Sequence, residues 1–260
     1  MRKITVDVEI VENPKELARM GAELFVNYAK TVLIEKSKFT VVLSGGETPR
    51  PLYERLATDP LSRNLPWEKI HFFWGDERNV PIDHPDSNFH MALTAMLSRL
   101  PIPEENIHRV RTELKDPAVI TEQYEKMIRE FFNLKRPEDV PHFDLTFLGL
   151  GKEGHTASLF PDGNLSVSVR KEDAHSLVIA PWISHLGEFR FSLTPSAINS
   201  SAQIVFLVSG DEKASIIRDV IEGDQENLNT PAQTIQPLSG NLLWLIDKAA
   251  AHLLKVGNKK

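Results

Sequence analysis

One imidazole and three glycines sit together after a short apolar run. Leu145-Thr-Phe-Leu148 reads as a buried strand, and it is followed by Gly149, Gly151, Gly154 and His155. Histidine is the side chain whose ordinary pKa lets it gain or lose a proton near neutral pH. A glycine turn lets the backbone approach a substrate closely, with N–H groups able to face an anion. In an open parallel α/β sheet, ligands bind beyond the carboxyl ends of the strands. Strand, glycine turn and His155 together therefore read as the edge of an active site.

Other apolar runs end in polar groups suited to the same place. Phe39–Leu43 leads into Ser44, Gly45, Gly46, Glu47, Thr48 and Pro49 ahead of a helix pattern. Two glycines, two hydroxyls and a helix N-terminus form a phosphate cradle, or equally a tight turn capped by Ser or Thr. The Gly-Lys-Ser/Thr ending of a triphosphate-binding loop is absent. Ile70–Trp74 leads into Asp76-Glu77-Arg78. There Arg78 is suited to grip a phosphate bidentately, and Asp76 to hold a hydroxyl or orient a catalytic group. A surface turn with a salt bridge is the plainer reading of that triplet. Lys213 follows Ile204–Ser209 at the opening of a helix, where a cation is disfavoured unless an anion is present. Arg50, Arg78, Arg190 and Lys213 would give an acidic protein a locally cationic pocket.

Gly149-x-Gly151-x-x-Gly154 also matches the dinucleotide fingerprint. That motif needs a full helix after it to hold a pyrophosphate. Here Phe160-Pro161-Asp162-Gly163 interrupts the chain within two turns, and the acidic pair Glu172 and Asp173 falls in a polar stretch rather than at a strand end. Both features argue against nicotinamide binding. Asp83, His84, Asp86 and His90 do not meet a metal-ligand spacing, and there is no Gly-x-Ser-x-Gly nucleophile elbow.

The elements that must position these groups alternate from end to end. Strand patterns at Ile4–Val11, Phe39–Leu43, Ile70–Trp74, Leu145–Leu148, Ser176–Pro181, Glu188–Leu193 and Ile204–Ser209 are separated by helical patterns. The helices are expected at about 14–35, 50–57, 87–100, 117–132 and 211–222, with a strand–helix pair over 242–254 closing the chain. This order implies βαβ units and a largely parallel, Rossmann-like sheet with helices on both faces. Residues 79–87 and 162–173 read as surface loops, and residues 1–260 as a single domain.

The chain has 260 residues, a formal charge of −6 and no cysteine. The charge leaves no basic footprint for nucleic acid. The lack of cysteine excludes disulfides, thiolate metal sites and a thiol nucleophile. No apolar run approaches the roughly 20 residues of a membrane span, and the N-terminus lacks a signal-peptide apolar core. A soluble cytoplasmic protein is expected, a monomer or weak homo-oligomer.

Several motifs in register carry a resemblance. Ser44-Gly-Gly-Glu-Thr-Pro49, Asp76-Glu-Arg78 and the run from Gly149 to Pro161 occur in the order seen in 6-phosphogluconolactonases. Arg190–Thr194, Gly210–Lys213, Thr230-Pro-Ala-Gln233 and Leu243–Asp247 follow in the same order, so the likeness runs from about residue 10 to about residue 250. The resemblance implies the fold of the glucosamine-6-phosphate deaminase and ribose-5-phosphate isomerase group. It also implies cofactor-free hydrolysis of 6-phospho-D-glucono-1,5-lactone to 6-phosphogluconate. His155 matches the family's proposed general base, Arg78 and Lys213 its phosphate-binding positions, and the Ser44–Thr48 turn its sugar-phosphate site. Arg190, Gly151 and Asp76 belong to the same expected site. The chain departs from the family at Glu153, where Asp is usual, and at Lys152, where proline is often found. A glucosamine-6-phosphate deaminase is the nearest alternative, but its Ala-Phe-Asn-Glu-Pro continuation is replaced by Ala157-Ser-Leu-Phe-Pro161. A non-catalytic sugar-phosphate sensor is the other.

Overall fold

The computed structural model describes residues 6–161, 175–224 and 230–255. In chain order its elements are β1 Val6–Val11, α1 Pro14–Glu35, β2 Phe39–Leu43, α2 Arg50–Thr58, β3 Ile70–Trp74, β4 Asp76–Arg78, α3 Asn88–Ala95, β5 Ile107–His108 and α4 Pro117–Phe131. They continue with β6 Leu145–Leu148, β7 Val178–Ile179, β8 Trp182–Ile183, β9 Glu188–Leu193, α5 Pro195–Asn199, β10 Gln203–Val208, α6 Ala214–Glu222, β11 Asn241–Asp247 and α7 Lys248–Ala251. The loop expected over 162–173, with Glu172 and Asp173, lies outside the described residues, as do Ile4 and Thr5 of the first expected strand.

Seven strands form one parallel sheet in the order β1-β11-β10-β6-β2-β3-β5. The central strands are apolar on both faces because helices cover both faces. Alternation sorts their side chains. Val41, Leu43, Phe72, Trp74, Phe147, Val205 and Leu207 pack under α1, α2 and α3. Val42, Phe73, Leu148, Ile204, Phe206, Val208 and Trp244 pack with Ile120, Tyr124 and Ile128 of α4 and Ile217 and Val220 of α6. Phe206 and Trp244 stack at 4.0 Å across the β10–β11 pair. Asn13 caps α1 through Glu16 N, with Pro14 in its first turn, a start signal present in the sequence.

The chain runs outward from β2 through β3 to β5, then returns to place β6 on the other side of β2. That reversal puts the topological switch between β2 and β6, where a crevice opens beyond the strand ends. The glycine turns at 44–49 and 149–155 flank it.

Three expectations are corrected. Asp76-Glu77-Arg78 is not a surface turn. It is β4, which leaves β3 through Gly75 and pairs antiparallel with β9 in a second small sheet, β4-β9-β7. The strand expected at Glu188–Leu193 forms, but in this sheet rather than the parallel one. The helix expected over 87–100 ends at Ala95, because Met96 adopts φ −141° and a 3₁₀ turn follows.

Candidate active site

A cavity of about 350 Å³ opens at the switch. It is lined by Ser44–Pro49 after β2, Asp76 and Arg78 on β4, Gly149–Glu153, His155 and Ala157 after β6, Leu207 and Val208 at the end of β10, and Ser209 and Lys213 after it. The expected residues Ser44, Gly45, Gly46, Thr48, Asp76, Arg78, Gly151, His155 and Lys213 are thus brought together. Arg190 is not among the lining residues. It sits on β9 directly opposite Arg78, and its guanidinium is turned to Glu188 Oε1 at 2.6 Å. Arg50 likewise pairs with Glu54 on its own helix.

The turn after β2 is anchored from below. Tyr53 Oη accepts from Ser44 N at 3.0 Å and donates to Ser44 O at 2.9 Å. No Ser or Thr side chain caps α2, whose N-cap is Pro49. Among the described residues the amides of Gly45, Gly46, Glu47 and Thr48 meet no acceptor. Consecutive unpartnered amides at a helix start form an anion-binding nest. Gly46 needs its freedom for φ +90°.

The turn after β6 folds tightly onto itself. Gly151 N donates to His155 O at 2.8 Å, and Gly154 N to Gly151 O at 3.1 Å. These two amides are spent inside the turn, so neither is available to an oxyanion. The His155 ring lies against the Gly151 backbone, stacks on Phe160 at 4.1 Å, and brings Nδ1 to 3.1 Å from Glu153 Oε1. The turn is braced by the 3₁₀ segment Pro231–Thr234, where Ala232 N donates to Gly154 O at 3.0 Å. Burial pushes the His155 pKa down, partly countered by Glu153 and Asp76, and the net shift is downward. For Glu153 burial works upward, but its own backbone N–H and His155 outweigh that and hold the carboxyl below its ordinary value. At neutral pH the pair is therefore a carboxylate beside a neutral imidazole.

The β4 triplet divides its labour. Glu77, 2% exposed, accepts from Arg78 N, Asn88 N and Phe89 N at 2.7 to 2.8 Å and from Ser87 Oγ at 3.1 Å. It ties the start of α3 to the sheet, and burial raises its pKa. Asp76 faces the cavity. Ser158 Oγ donates to its Oδ2 at 2.7 Å, and Asn88 Nδ2 to its Oδ1 at 3.2 Å. Asn88 also closes on the neighbouring turn, since a Cβ on Gly45 would stand 1.7 Å from Asn88 Oδ1. Arg78 Nη1 donates to Asp86 O at 2.6 Å, and its buried Nε meets no acceptor among the described residues. Lys213 is half-buried, and burial lowers its pKa, with Lys152 acting in the same sense. A half-buried ammonium, an unpartnered guanidinium N–H and a nest of amides suit a phosphate.

Asn88, Ser158, Phe160 and Thr230 were not recognised as site residues from sequence. Ser158 and Thr230 lie in matching motifs, but their partners Asp76 and Gly154 are 82 and 76 residues away in sequence, whereas Phe160 is only five from His155 and reads in the sequence as part of a chain break. Asn88 carried no signal beyond a helix start. Among the described residues no cluster of His, Cys, Asp or Glu could hold a metal ion, and no helix is long and apolar enough to cross a membrane.

Residues 12–244 match the family model described as glucosamine-6-phosphate isomerases/6-phosphogluconolactonase. A 6-phosphogluconolactonase from Nostoc sp. is 40% identical over 249 residues, covering 96% of this chain and 98% of that protein. The solved 6-phosphogluconolactonase of Trypanosoma brucei superposes with a TM-score of 0.84 at 28% identity, covering 97% of this chain and all of the other. A monomeric glucosamine-6-phosphate deaminase shares the fold, with a TM-score of 0.76 at 22% identity, over 95% of this chain and all of the other.

Proposed function

This chain belongs to the glucosamine-6-phosphate isomerase/6-phosphogluconolactonase family, and from that premise we propose that His155 is the general base of a 6-phosphogluconolactonase. The reaction is hydrolysis of 6-phospho-D-glucono-1,5-lactone to 6-phospho-D-gluconate, a carboxylic ester hydrolysis in the oxidative pentose phosphate pathway. The observation that carries the assignment of His155 is its placement. A neutral imidazole, stacked on Phe160 with Nδ1 3.1 Å from Glu153 Oε1, shares one cavity with Arg78, Lys213 and the amide nest after β2.

The phosphate is bound by Arg78 and Lys213, which fixes the lactone carbonyl near His155. Nδ1 faces Glu153, so Nε2 takes the proton from a water as its oxygen attacks C1. Glu153 stabilises the imidazolium that forms. The C1 carbonyl oxygen becomes an oxyanion. With Gly151 N and Gly154 N already engaged, an amide of the 45–48 nest or a neighbouring cation is its donor. Collapse breaks the bond from C1 to the ring oxygen, and His155 returns the proton to that oxygen. Asp76, fixed by Ser158 and Asn88, holds a sugar hydroxyl. No cofactor enters these steps. The enzyme acts as a single domain in the cytoplasm, a reading supported by the cysteine-free composition.

The test is opening of freshly generated lactone by the purified protein in the presence of EDTA, followed by proton release. A rate no faster than spontaneous opening would remove the assignment.

A further inference from the structure

We infer that Asp247 is a positioning residue for phosphosugar binding, fixing the turn that presents Lys213 to the cavity. The inference rests on the functional reading above. Asp247 ends β11 and is 1% exposed. Its Oδ2 accepts from Ser209 Oγ at 2.5 Å, and its two oxygens lie 3.2 and 3.3 Å from Gly210 N. Oδ1 also accepts from Ala250 N at 2.8 Å, capping α7. Among the described residues Asp247 has no ion-pair partner. A buried carboxylate without a counter-charge is costly, and here hydrogen-bond donors alone offset that cost. Capping a four-residue helix does not require a charge, since Ser or Asn would serve. The other contacts all go to the turn after β10.

That turn needs holding. Gly210 adopts φ +103°, and a Cβ there would stand 2.5 Å from Glu212 Oε2. Lys213 N donates to Gly210 O at 3.0 Å, closing the turn three residues after the anchor. Lys213 is then the N-cap of α6, where the helix dipole repels a cation. Burial and Lys152 also disfavour its charge. Burial outweighs the attraction of Glu212 and Glu153 for this ammonium, so its position depends on the backbone turn that carries it. The charges acting on Lys213 besides Lys152 are Glu212 and Glu153. Asp247 is not among them, so it acts through the turn and not through its field.

The experiment compares kcat and KM on 6-phosphogluconolactone and on unphosphorylated gluconolactone for wild type, Asp247→Ala, Asp247→Asn and Ser209→Ala. Asp247→Ala should raise KM for the phosphorylated lactone by about tenfold, with kcat and the unphosphorylated reaction changed by less than about threefold. Asp247→Asn and Ser209→Ala weaken the same link from its two sides and should shift the same KM by a few-fold; they decide the matter if Asp247→Ala does not fold. In a Lys213→Met background, Asp247→Ala should add less than about twofold. Equal losses on both lactones, or independent effects of Asp247 and Lys213, would overturn the inference. Binding of 6-phosphogluconate against gluconate, read by calorimetry, gives the same comparison without turnover. A wild type that binds but does not hydrolyse would therefore remove only the functional reading.

Discussion

The imidazole of His155 occupies the space a side chain at Gly151 would need: a Cβ there would stand 2.0 Å from Nδ1 and 2.1 Å from Cε1. A glycine fits there because the His155 ring folds back over its own turn. Gly151→Ala must displace the ring, and a shift of about 1 Å can cost about 10²-fold in rate. The expected outcome is a fall in kcat of that order with binding of 6-phosphogluconate nearly unchanged. Equal kcat would show that the ring is not held where the account needs it.

Arg78 lines the cavity, with Nη1 donating to Asp86 O and its buried Nε meeting no acceptor among the described residues. Arg78→Ala should lower the preference for phosphorylated over unphosphorylated gluconolactone by about 10- to 100-fold, the loss of one or two hydrogen bonds to a charged group. The measurement is the ratio of kcat/KM for the two lactones. An unchanged ratio would remove Arg78 from the phosphate site.

Burial sets the sign of the pH response. Burial holds the His155 pKa below its ordinary 6.5, and the proposed general base works only when neutral. Activity should therefore be lost as pH falls, with the acid limb of kcat/KM centred below 6.5 and a plateau by neutral pH. An acid limb centred above 6.5 would mean that Glu153 and Asp76 outweigh burial.

A pair of histidines lies away from the site. His71 Nδ1 and His108 Nε2 are 3.1 Å apart among Phe73 and Phe131. Burial lowers both pKa values, that of His108 to about 4. In this window the unfolded chain binds protons that the folded one refuses, so stability falls as pH drops from about 6.5 toward 4. His108→Gln should flatten that part of the stability curve in a denaturant titration at several pH values. An unaltered slope would assign acid sensitivity elsewhere.

Much of this was legible in the chain. Phe39–Leu43 and Ile70–Trp74 are continuous apolar runs because both sheet faces are covered, and their ends match the structure. The cavity residues of three turns were legible because several strand ends carry glycine or charge at once, although each turn alone also had a plain structural reading. Asp76-Glu77-Arg78 was misread because a three-residue polar strand looks like a turn. Its pairing with β9 is set by a segment more than a hundred residues later. Arg190 pairs with Glu188 and stays off the cavity lining, while its buried Nε, like that of Arg78, meets no acceptor among the described residues. Asn88 was invisible because its value lies in touching Asp76 and Gly45 at once, which only the folded chain reveals.

The most direct test measures proton release from 6-phosphogluconolactone by wild type and His155→Ala in parallel, with 6-phosphogluconate binding to each. The account predicts fast opening by wild type in EDTA, a loss of about 10²- to 10⁴-fold in the variant, and retained binding by both. An unchanged rate in His155→Ala would contradict it.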